Sequence, residues 1–290
     1  MKDRTRIINL SGMGQLIMDI NSKRVDSEVY INQKLDITEL VKYVEKRKAD
    51  GNPVTYFHAF VAAIGKVIYN RPKLNYFVSN RHLYKHNDVV LAFTAKVQFD
   101  DSSEELMFMI PINENDNVNT ISKYIKDKID KVRARHEERI DTGSKKGANS
   151  AIDIVGKLPN IIRIPVVGFL KWMDSTGYLP KSLKEDNLYY STMIISNIGS
   201  LHCGGIYHHL SDFGTSSGLI TIGEIKDEVV IKDGKEEIRK MAEFGITIDE
   251  RIADGYYFIK SVQLLQKILD NPESLEKPAG EEINTTEIVK

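Results

Sequence analysis

The side chains best suited to proton transfer in this 290-residue chain stand in a short run around His208 and His209. Histidine exchanges protons near neutral pH, so two adjacent imidazoles suit general acid–base catalysis. Of the seven histidines, only these two are neighbours. The run Tyr207-His208-His209-Leu210 also fits a surface turn that carries two solvated imidazoles. The residues alone leave both interpretations open.

Other common catalytic patterns are missing from the sequence. The single cysteine, Cys203, stands beside glycines and away from any matching histidine signature, so we interpret it as structural. No His-Glu-x-x-His or related spacing predicts a zinc site. The glycines between residues 204 and 218 form neither a P-loop nor a dinucleotide fingerprint. We therefore expect no metal site and no tightly bound cofactor.

The bulk composition narrows the class of protein. Hydrophobic residues make up 41% of the chain, enough for a substantial core. Forty basic residues against forty-one acidic ones give a net charge of −1, so no nucleic-acid partner is expected. One cysteine excludes an internal disulfide framework and fits a reducing compartment. With no signal peptide and no long apolar run recognised, we predict a cytoplasmic protein.

Periodicity predicts the elements that must position these residues. Residues 29–38 alternate between apolar and polar, as a half-buried strand does, and Thr38 is predicted to cap a helix over 39–49. A helix over 55–70 is apolar on most faces, which predicts burial. Further strands are predicted at 81–85, 89–99, 105–112, 190–196, 218–225 and 242–249, further helices at 119–139 and 255–270, and a hairpin turn at 232–235.

Strands and helices mix without strict alternation, which predicts an α/β or α+β class with a mixed sheet. We expect one domain over residues 1–272, with a joint at 143–150 in a loop rich in Gly, Ser and Lys. The polar tail over 273–290 is expected to be disordered.

Three stretches resemble a known family in order and spacing. They are LDITEL at 35–40 followed by RPKLN at 71–75, ISNIG at 195–199, and DERIADG at 249–255. Together they are similar to the catalytic domain of the dihydrolipoyl acyltransferases of 2-oxo acid dehydrogenase complexes and to chloramphenicol acetyltransferase. The resemblance covers nearly the whole chain except an insertion at 145–190. It departs from the family at Glu250, where the motif has its catalytic histidine, and at Gly14, where an arginine is usual.

The resemblance implies a chloramphenicol-acetyltransferase-like mixed-sheet fold, assembled as a homotrimer or a multiple of trimers. It implies a coenzyme A thioester as co-substrate, an unknown small-molecule or carrier acceptor, and an active site between subunits. By the same resemblance Ser196 donates to the oxyanion of the reaction, and Thr221 and Asn197 belong to substrate binding. Asp254 is expected to be architectural, and Ser196 is expected to meet residues 249–255 across an interface.

Glu250 is the main departure, because the family's histidine takes a proton from a thiol. An unperturbed glutamate has a pKa of about 4.3 and a thiol one of about 8.5. A solvated Glu250 is therefore a poor base, although burial can raise a glutamate pKa by several units. Three interpretations stay open: Glu250 is a desolvated base, catalysis is lost, or His208 and His209 have taken over. Stand-alone bacterial relatives that pair YHHL with DER favour a linked change.

Two functions follow from this resemblance. The first is an acyltransferase that uses CoA or another thiol carrier. The alternative is a catalytically degenerate oligomeric scaffold or binding protein of the same fold. Because no lipoyl or peripheral-subunit-binding segment is recognised, we expect the chain to act outside the core of a 2-oxo acid dehydrogenase complex.

The insertion contains a strongly apolar run at 151–185. Pro159 and Pro165 are expected to cut it into short helices. A lid over an acyl pocket, an oligomer contact and a segment on a membrane surface all fit such a run. Because few basic residues interrupt it, membrane contact is the least favoured, and we expect a buried lid or an interface.

Overall fold

The structure is a computed structural model and describes residues 4–96, 105–142, 155–185 and 187–284. Its helices are α1 Gly12–Ile20, α2 Thr38–Ala49, α3 Tyr56–Asn70, α4 Val118–Thr142, α5 Asn160–Thr176, α6 Lys181–Lys184 and α7 Gly255–Asp270. Its strands are β1 Arg4–Arg6, β2 Glu28–Asp36, β3 Tyr76–Ser79, β4 His82–His86, β5 Val89–Lys96, β6 Glu105–Ile112, β7 Met193–Asn197, β8 Gly218–Lys232 and β9 Lys235–Asp249. The predicted joint at 143–150 lies outside the described residues.

A six-stranded mixed sheet in the order β2-β9-β8-β7-β5-β6 organises the chain. β7 pairs in parallel with both β5 and β8, and the remaining pairs in this sheet are antiparallel. Strands β1, β4 and β3 form a second, three-stranded sheet. The predicted class, a mixed α/β fold, is confirmed.

One face of the large sheet carries the helices. α3 is buried from His58 to Ile68, as its nearly all-round apolar sequence predicts. The hydroxyl of Thr55 caps this helix by accepting from the backbone N–H of His58 at 3.1 Å. Ring contacts fix α3 on the sheet, with Phe60 against Phe244 at 5.4 Å and Phe57 against Phe93 at 5.3 Å.

The opposite face is covered by chain segments rather than by helices. Leu188, from a short turn, and Leu210 are buried there against the strand residues Ala92, Ile194 and Leu219. The segment 203–210 therefore lies directly on the sheet. This face holds most of the predicted site residues.

β8 and β9 continue past the body of the sheet as a two-stranded ribbon. Its turn has Asp233 at φ 51° and Gly234 at φ 76°, the two positive angles that a two-residue type I′ hairpin requires, so the predicted hairpin is confirmed. Val229, Ile231 and Ile238 are 66%, 79% and 72% exposed on the ribbon. Exposed apolar side chains in a cluster are typical of a contact surface.

Two local predictions are wrong. Thr38 is the first residue of α2 rather than its cap; its hydroxyl donates to the side chain of Asp36 at 2.6 Å. Pro165 does not divide the insertion, because it lies inside the 17-residue helix α5. A proline near the start of a helix removes only one backbone hydrogen bond, here the one to the carbonyl of Ile161. The N-terminal boundary at Pro159 is confirmed.

In the single chain no residue of α5 is buried, so of the two expectations for the insertion the buried lid is wrong and the interface stays a prediction. Among the described residues, no helix is long and apolar enough to cross a membrane.

The tail is ordered as far as residue 284, contrary to expectation. The ammonium group of Lys66, a side chain only 2% exposed, donates to the carbonyls of Ser274 at 3.1 Å and Pro278 at 2.9 Å. It also contacts the carboxylate of Glu281 at 3.3 Å. Burial lowers the pKa of Lys66. Leu275 and Ala279 of the tail are buried in the main core as well, so both apolar packing and polar contacts to a buried lysine hold the tail. Residues 285–290 lie outside the described part of the chain.

A Lys66→Met substitution should therefore release the tail. The variant keeps the apolar stem but leaves two carbonyls without their donor, which we expect to lower the free energy of unfolding by about 1–3 kcal/mol. Limited proteolysis should then cut between residues 272 and 284 faster than in the wild type. Lys277→Met is the matched control: Lys277 also contacts Glu281 but is 63% exposed, so its loss should cost under about 1 kcal/mol. Equal effects of the two variants would contradict this account.

The environment of His58 leads to a second prediction, about how the free energy of unfolding depends on pH. Its ring nitrogen Nδ1 lies 2.8 Å from the hydroxyl of Ser122 inside the core, so His58 is a buried histidine with a hydrogen-bond partner. Burial, together with Lys126, lowers the pKa of His58 to about 4. The unfolded chain therefore takes up this proton first as the pH falls from about 6.5 to 4.

Acidification through that window should destabilise the wild type more than His58→Asn, which has no proton to gain. We expect the unfolding free energy of the wild type to fall relative to that of the variant by about 1–3 kcal/mol between neutral pH and about pH 4.5. Denaturant titrations at several pH values measure it. His82→Asn, outside the core, is the control and should follow the wild type. Parallel pH profiles for wild type and His58→Asn would refute the prediction.

Candidate functional site

Ser196 lies near the end of β7, where the strand leads into the turn Gly199–Leu201. It is in register with Thr94 of β5 and Thr221 of β8, and Thr221 is in turn opposite Gly245 of β9. Because neighbouring side chains alternate between faces, the fully buried Ile195 points into the helix-covered core and Ser196 points to the other face. The Ser196 hydroxyl is half-buried and has no hydrogen-bond partner among the described residues.

Thr221 is fully buried and its hydroxyl is occupied. The hydroxyl donates to the carbonyl of Ile206, accepts from the backbone N–H of Ile206 at 3.0 Å, and lies 3.3 Å from the carbonyl of Gly245. This geometry favours the structural role that a strand threonine also allowed, and not the substrate contact implied by the resemblance. The side chain ties segment 203–210 to the sheet.

Asn197 is exposed and closes the turn after β7. Its side-chain oxygen accepts from the backbone N–H of Gly199 at 3.1 Å. That oxygen therefore stabilises the strand end beside Ser196. The amide nitrogen of Asn197 has no partner within the described parts of the chain and is available to a ligand.

Glycines allow segment 203–210 to lie against the backbone of β8 and β9. A Cβ on Gly223 would come within 2.7 Å of the carbonyl carbon of Gly204, and one on Gly245 within 2.7 Å of the Thr221 hydroxyl. Side chains at either position would lift the segment away from Ser196. The sequence analysis did not predict this role. The glycine pair at 204–205 and the single glycines Gly223 and Gly245 in the later strands are the signal that could have indicated it.

His208 and His209 lie in this segment between two anchored residues, and both are exposed. On one side the ring of Tyr207 packs edge-on against Tyr30 at 5.4 Å. On the other side the backbone N–H of Leu210 donates to the carboxylate of Glu28 at 2.5 Å, and the Leu210 side chain is buried. No hydrogen bond joins either imidazole to Ser196 or Glu250 in the described chain.

The carboxylate of Asp249, at the end of β9, is completely buried between two guanidinium groups. Arg251 donates to it twice, at 2.8 Å and 2.7 Å, and Nε of Arg24 lies at 3.5 Å. Arg24 is itself 3% exposed and donates to the backbone carbonyls of Val78 at 3.4 Å, Gly214 at 3.2 Å and Ser211. Burial lowers the pKa of Arg24, and the charge of Asp249 opposes that effect.

Glu250 follows directly, at the start of the turn Glu250–Ile252, and its side chain is exposed in the single chain. Asp254 caps α7, its carboxylate accepting from the backbone N–H of Tyr257 at 2.8 Å, a contact that favours the architectural role predicted for Asp254. Gly14, where the resemblance led us to expect an arginine, donates its backbone N–H to the hydroxyl of Ser11 at 3.1 Å. Sequence reasoning did not single out Arg24, whose partners are remote in the chain.

Strand register separates Ser196 from Glu250 within one chain. Ser196 is level with Thr221, and Thr221 is level with Gly245. Glu250 lies five residues beyond Gly245, which is about 17 Å along a strand. Two strand spacings across the sheet add about 10 Å. The two side chains therefore cannot act on the same atoms unless Glu250 of one chain meets Ser196 of another.

No group of three or more metal-binding side chains comes together in the described part of the protein. The residues that the geometry does gather are neutral hydroxyls, an amide and glycine backbone. Such hydroxyl, amide and backbone groups can hydrogen-bond a carbonyl or an oxyanion, but none of them is a base.

Comparison with known proteins agrees with this geometry. Residues 175–276 match the family "2-oxoacid dehydrogenases acyltransferase (catalytic domain)", and this stretch contains every predicted site residue. Over 122 residues the chain is 28% identical to the dihydrolipoyllysine-residue succinyltransferase component of the 2-oxoglutarate dehydrogenase complex of Rickettsia conorii. That alignment covers 39% of this chain and 31% of the relative, and the Rickettsia felis protein gives the same identity. The match therefore spans less than a third of those curated relatives.

The fold itself is shared over nearly the whole chain. A probable dihydrolipoamide acetyltransferase from Listeria monocytogenes aligns with a TM-score of 0.57 and 15% identity, covering 92% of this chain and 95% of that one. Chloramphenicol acetyltransferase aligns with a TM-score of 0.52 and 13% identity, covering 93% and 99%. Residues 175–276 thus carry the sequence pattern of the 2-oxoacid dehydrogenase acyltransferase catalytic domain, and the chain shares its fold with a probable dihydrolipoamide acetyltransferase and with chloramphenicol acetyltransferase.

Proposed function

We propose that this protein transfers an acyl group between coenzyme A, or another thiol carrier, and an acceptor, in a site formed by two subunits. The observation that carries the proposal is the Ser196 hydroxyl, which has no hydrogen-bond partner in the described chain. The hydroxyl of Thr221, in register with it, is already bonded to the backbone of Ile206 and Gly245. A donor held in this way is organised before the substrate arrives. Relatives named as succinyl- and acetyltransferases support the reaction class.

The proposed reaction has one proton transfer and one acyl transfer. A base takes the proton from the acceptor thiol, and the resulting thiolate attacks the carbonyl carbon of the acyl-CoA thioester. The tetrahedral oxyanion accepts a hydrogen bond from Ser196. Collapse breaks the bond between that carbon and the CoA sulfur, and the CoA thiolate takes the proton from the protonated base. Acyl-CoA and a free thiol thus become an acyl thioester and free CoA.

The acceptor is the finer question, and the proposal leaves it at a thiol-bearing small molecule or carrier. An acceptor with a hydroxyl would follow the same steps, with the alkoxide attacking in place of the thiolate. The co-substrate and the lone Cys203 are both compatible with a cytoplasmic setting.

Association of subunits is part of the proposal. Glu250 lies far from Ser196 of its own chain, so a second copy must supply one of the two. The chain offers apolar surface for such contacts: Val229 and Ile238 face each other across the ribbon, and Met13 and Ile20 project from α1 at 66% and 69% exposure. A solved relative comes from the cubic core of the pyruvate dehydrogenase complex, which favours a homotrimer or a multiple of one.

Glu250 is the proposed base, with His208 and His209 as rivals. An exposed carboxylate is a poor match for a thiol, since their ordinary pKa values differ by about four units. A partner subunit that covered Glu250 would take its carboxylate out of water, which makes a carboxylate a stronger base. The buried pair of arginines around Asp249 supports this role, because they fix the backbone from which Glu250 projects.

Glu250→Gln should lower turnover by about 10²–10⁴-fold while leaving assembly and folding intact. Release of free CoA from a panel of acyl-CoAs, with dihydrolipoamide and small thiols as acceptors, measures it. Glu273→Gln, an exposed carboxylate elsewhere, is the control and should keep full activity. If Glu250→Gln is fully active and His208→Asn or His209→Asn is not, a histidine is the base. No turnover with any pair of substrates would favour the degenerate scaffold.

Subunit mixing should test the shared site. Ser196→Ala and Glu250→Gln homo-oligomers are each expected to be impaired, because each lacks one half of every site. Refolded together at equal amounts, about one site in four should combine an intact Ser196 from one subunit with an intact Glu250 from the next. We expect about a quarter of wild-type activity to return. The Ser196→Ala, Glu250→Gln double variant mixed with itself should regain none. A mixture no more active than its parents would mean that the two residues do not share a site.

A further inference from the structure

Helix α5 has an apolar surface that the described chain leaves uncovered. Over Ile161–Leu170 its only polar side chain is Arg163, and a helix that is apolar nearly all round is normally buried. Yet Ile161 is 82% exposed, Ile164 67% and Trp172 55%. The helix therefore has a further partner in its working state.

The exposed residues form one stripe on the side away from the body. Val166, Leu170 and Met173 are half-buried and recur at helical spacing, so they face the domain. Ile161, Ile164 and Trp172 lie on the opposite side at the same spacing. The Trp172 ring stacks on Phe169 with centroids 5.7 Å apart, which widens the stripe.

The direction of this stripe is fixed by contacts at the end of α5. The carboxylate of Asp174 accepts from the hydroxyl of Tyr190 at 2.6 Å and from the backbone N–H of Gly214 at 2.8 Å. The carbonyl of Ser175 accepts from the hydroxyl of Ser79 at 3.2 Å. Gly177, at φ 83°, ends the helix. These contacts hold the stripe outward rather than over the Ser196 face.

Charge around the stripe indicates what covers it. From residue 155 to residue 185 the acids number two, Asp174 and Glu185, and the Asp174 carboxylate is turned inward onto Tyr190 and Gly214. The same stretch has five cations, Lys157, Arg163, Lys171, Lys181 and Lys184. The whole chain has a net charge of −1, so the positive charge is local. Lys157, Lys171 and Lys181 form no ion pair with any described residue.

We propose that the outward stripe of α5 binds the surface of an anionic lipid bilayer. Apolar side chains with a tryptophan and flanking lysines are the composition of helices that lie in the membrane interface. Each cation near an anionic surface adds to the attraction. A second copy of the same face would bring like charges together, which disfavours self-association through this stripe. From the sequence this partner was favoured least, because only the cations inside the apolar run were considered and those at its two ends were not.

The chain contains a single tryptophan, so its fluorescence reports on the stripe alone. The full-length protein is mixed with vesicles of phosphatidylcholine, or of phosphatidylcholine with about 30% phosphatidylglycerol. We expect the emission of Trp172 to shift to shorter wavelength, and brominated lipid to quench it, with the anionic vesicles only. Added salt should weaken the binding, because it screens the cations.

Three variants make the test specific. Ile161→Gln with Ile164→Gln should lower partitioning by about tenfold or more, since both side chains lose apolar transfer energy. Lys171→Gln with Lys181→Gln should lower it on anionic vesicles to a similar degree, about tenfold or more. Ile231→Gln with Ile238→Gln is the matched control: these ribbon side chains are equally exposed, at 79% and 72%, and partitioning should not change.

Three results would overturn the proposal. The first is equal binding to neutral and anionic vesicles, or none to either. The second is Trp172 already shielded from acrylamide without lipid, with a fall in oligomer mass in the Ile161→Gln, Ile164→Gln variant; the stripe would then be a contact between copies. The third is an equal loss of partitioning in the ribbon control. CoA release by the Ile161→Gln, Ile164→Gln variant and by the Lys171→Gln, Lys181→Gln variant should not change, so failure here is separate from failure of the acyl-transfer proposal.

Discussion

The buried carboxylate of Asp249 connects parts of the chain that are remote in sequence. It ends β9, accepts two hydrogen bonds from Arg251 and lies beside Arg24 of the N-terminal segment. Arg24 in turn donates to carbonyls at Val78 in the small sheet and in the loop at 211–214. Removing one member of such a buried cluster typically costs about 3–5 kcal/mol, because the charges left behind lose their partners. Both sheets and the turn bearing Glu250 depend on it.

The position of that cluster limits what one chain can do alone. It holds Glu250 at the far end of β9, whereas the parallel pairing of β7 with β8 puts Ser196 level with Gly245. Strand register cannot slip to bring them together, because a one-residue shift would turn the core face of β9 toward solvent. The same interactions that stabilise the fold therefore divide the candidate site between its two ends. The proposed acyl transfer therefore depends on association of subunits.

The protein carries apolar surfaces of two different chemistries. The ribbon has a small apolar cluster in a stretch of mixed charge, with Lys240 bonded to Asp227 and Lys34 to Glu228 nearby. Helix α5 has a broader apolar stripe that includes a tryptophan, and lysines stand near its ends. A surface of mixed charge suits contact between identical chains, and a surface of mainly positive charge suits an anionic partner. This difference is why we assign the two surfaces to different partners.

Much of this protein was determined by the sequence itself where the interactions are local. The Thr55 and Asp254 caps, the Asp233-Gly234 hairpin, the buried helix α3 and the core role of His58 depend on neighbours a few residues away or on simple periodicity. The family motifs indicated the superfamily and hence the mixed sheet. The sequence also predicted that Ser196 belongs to the site and showed that Glu250 departs from the family motif, since each is one position in a short motif.

Other features were decided only by the tertiary structure. The cluster of Arg24 with Asp249, the contact of Lys66 with the tail and the bond from Thr221 to Ile206 join residues that no local pattern connects. Pro165 stays inside α5 because helix packing tolerates one missing hydrogen bond, which local propensity does not predict. The separation of Ser196 from Glu250 follows from strand order and direction. Those depend on which surfaces pack together across the whole chain, and a linear pattern of residue types does not contain that information.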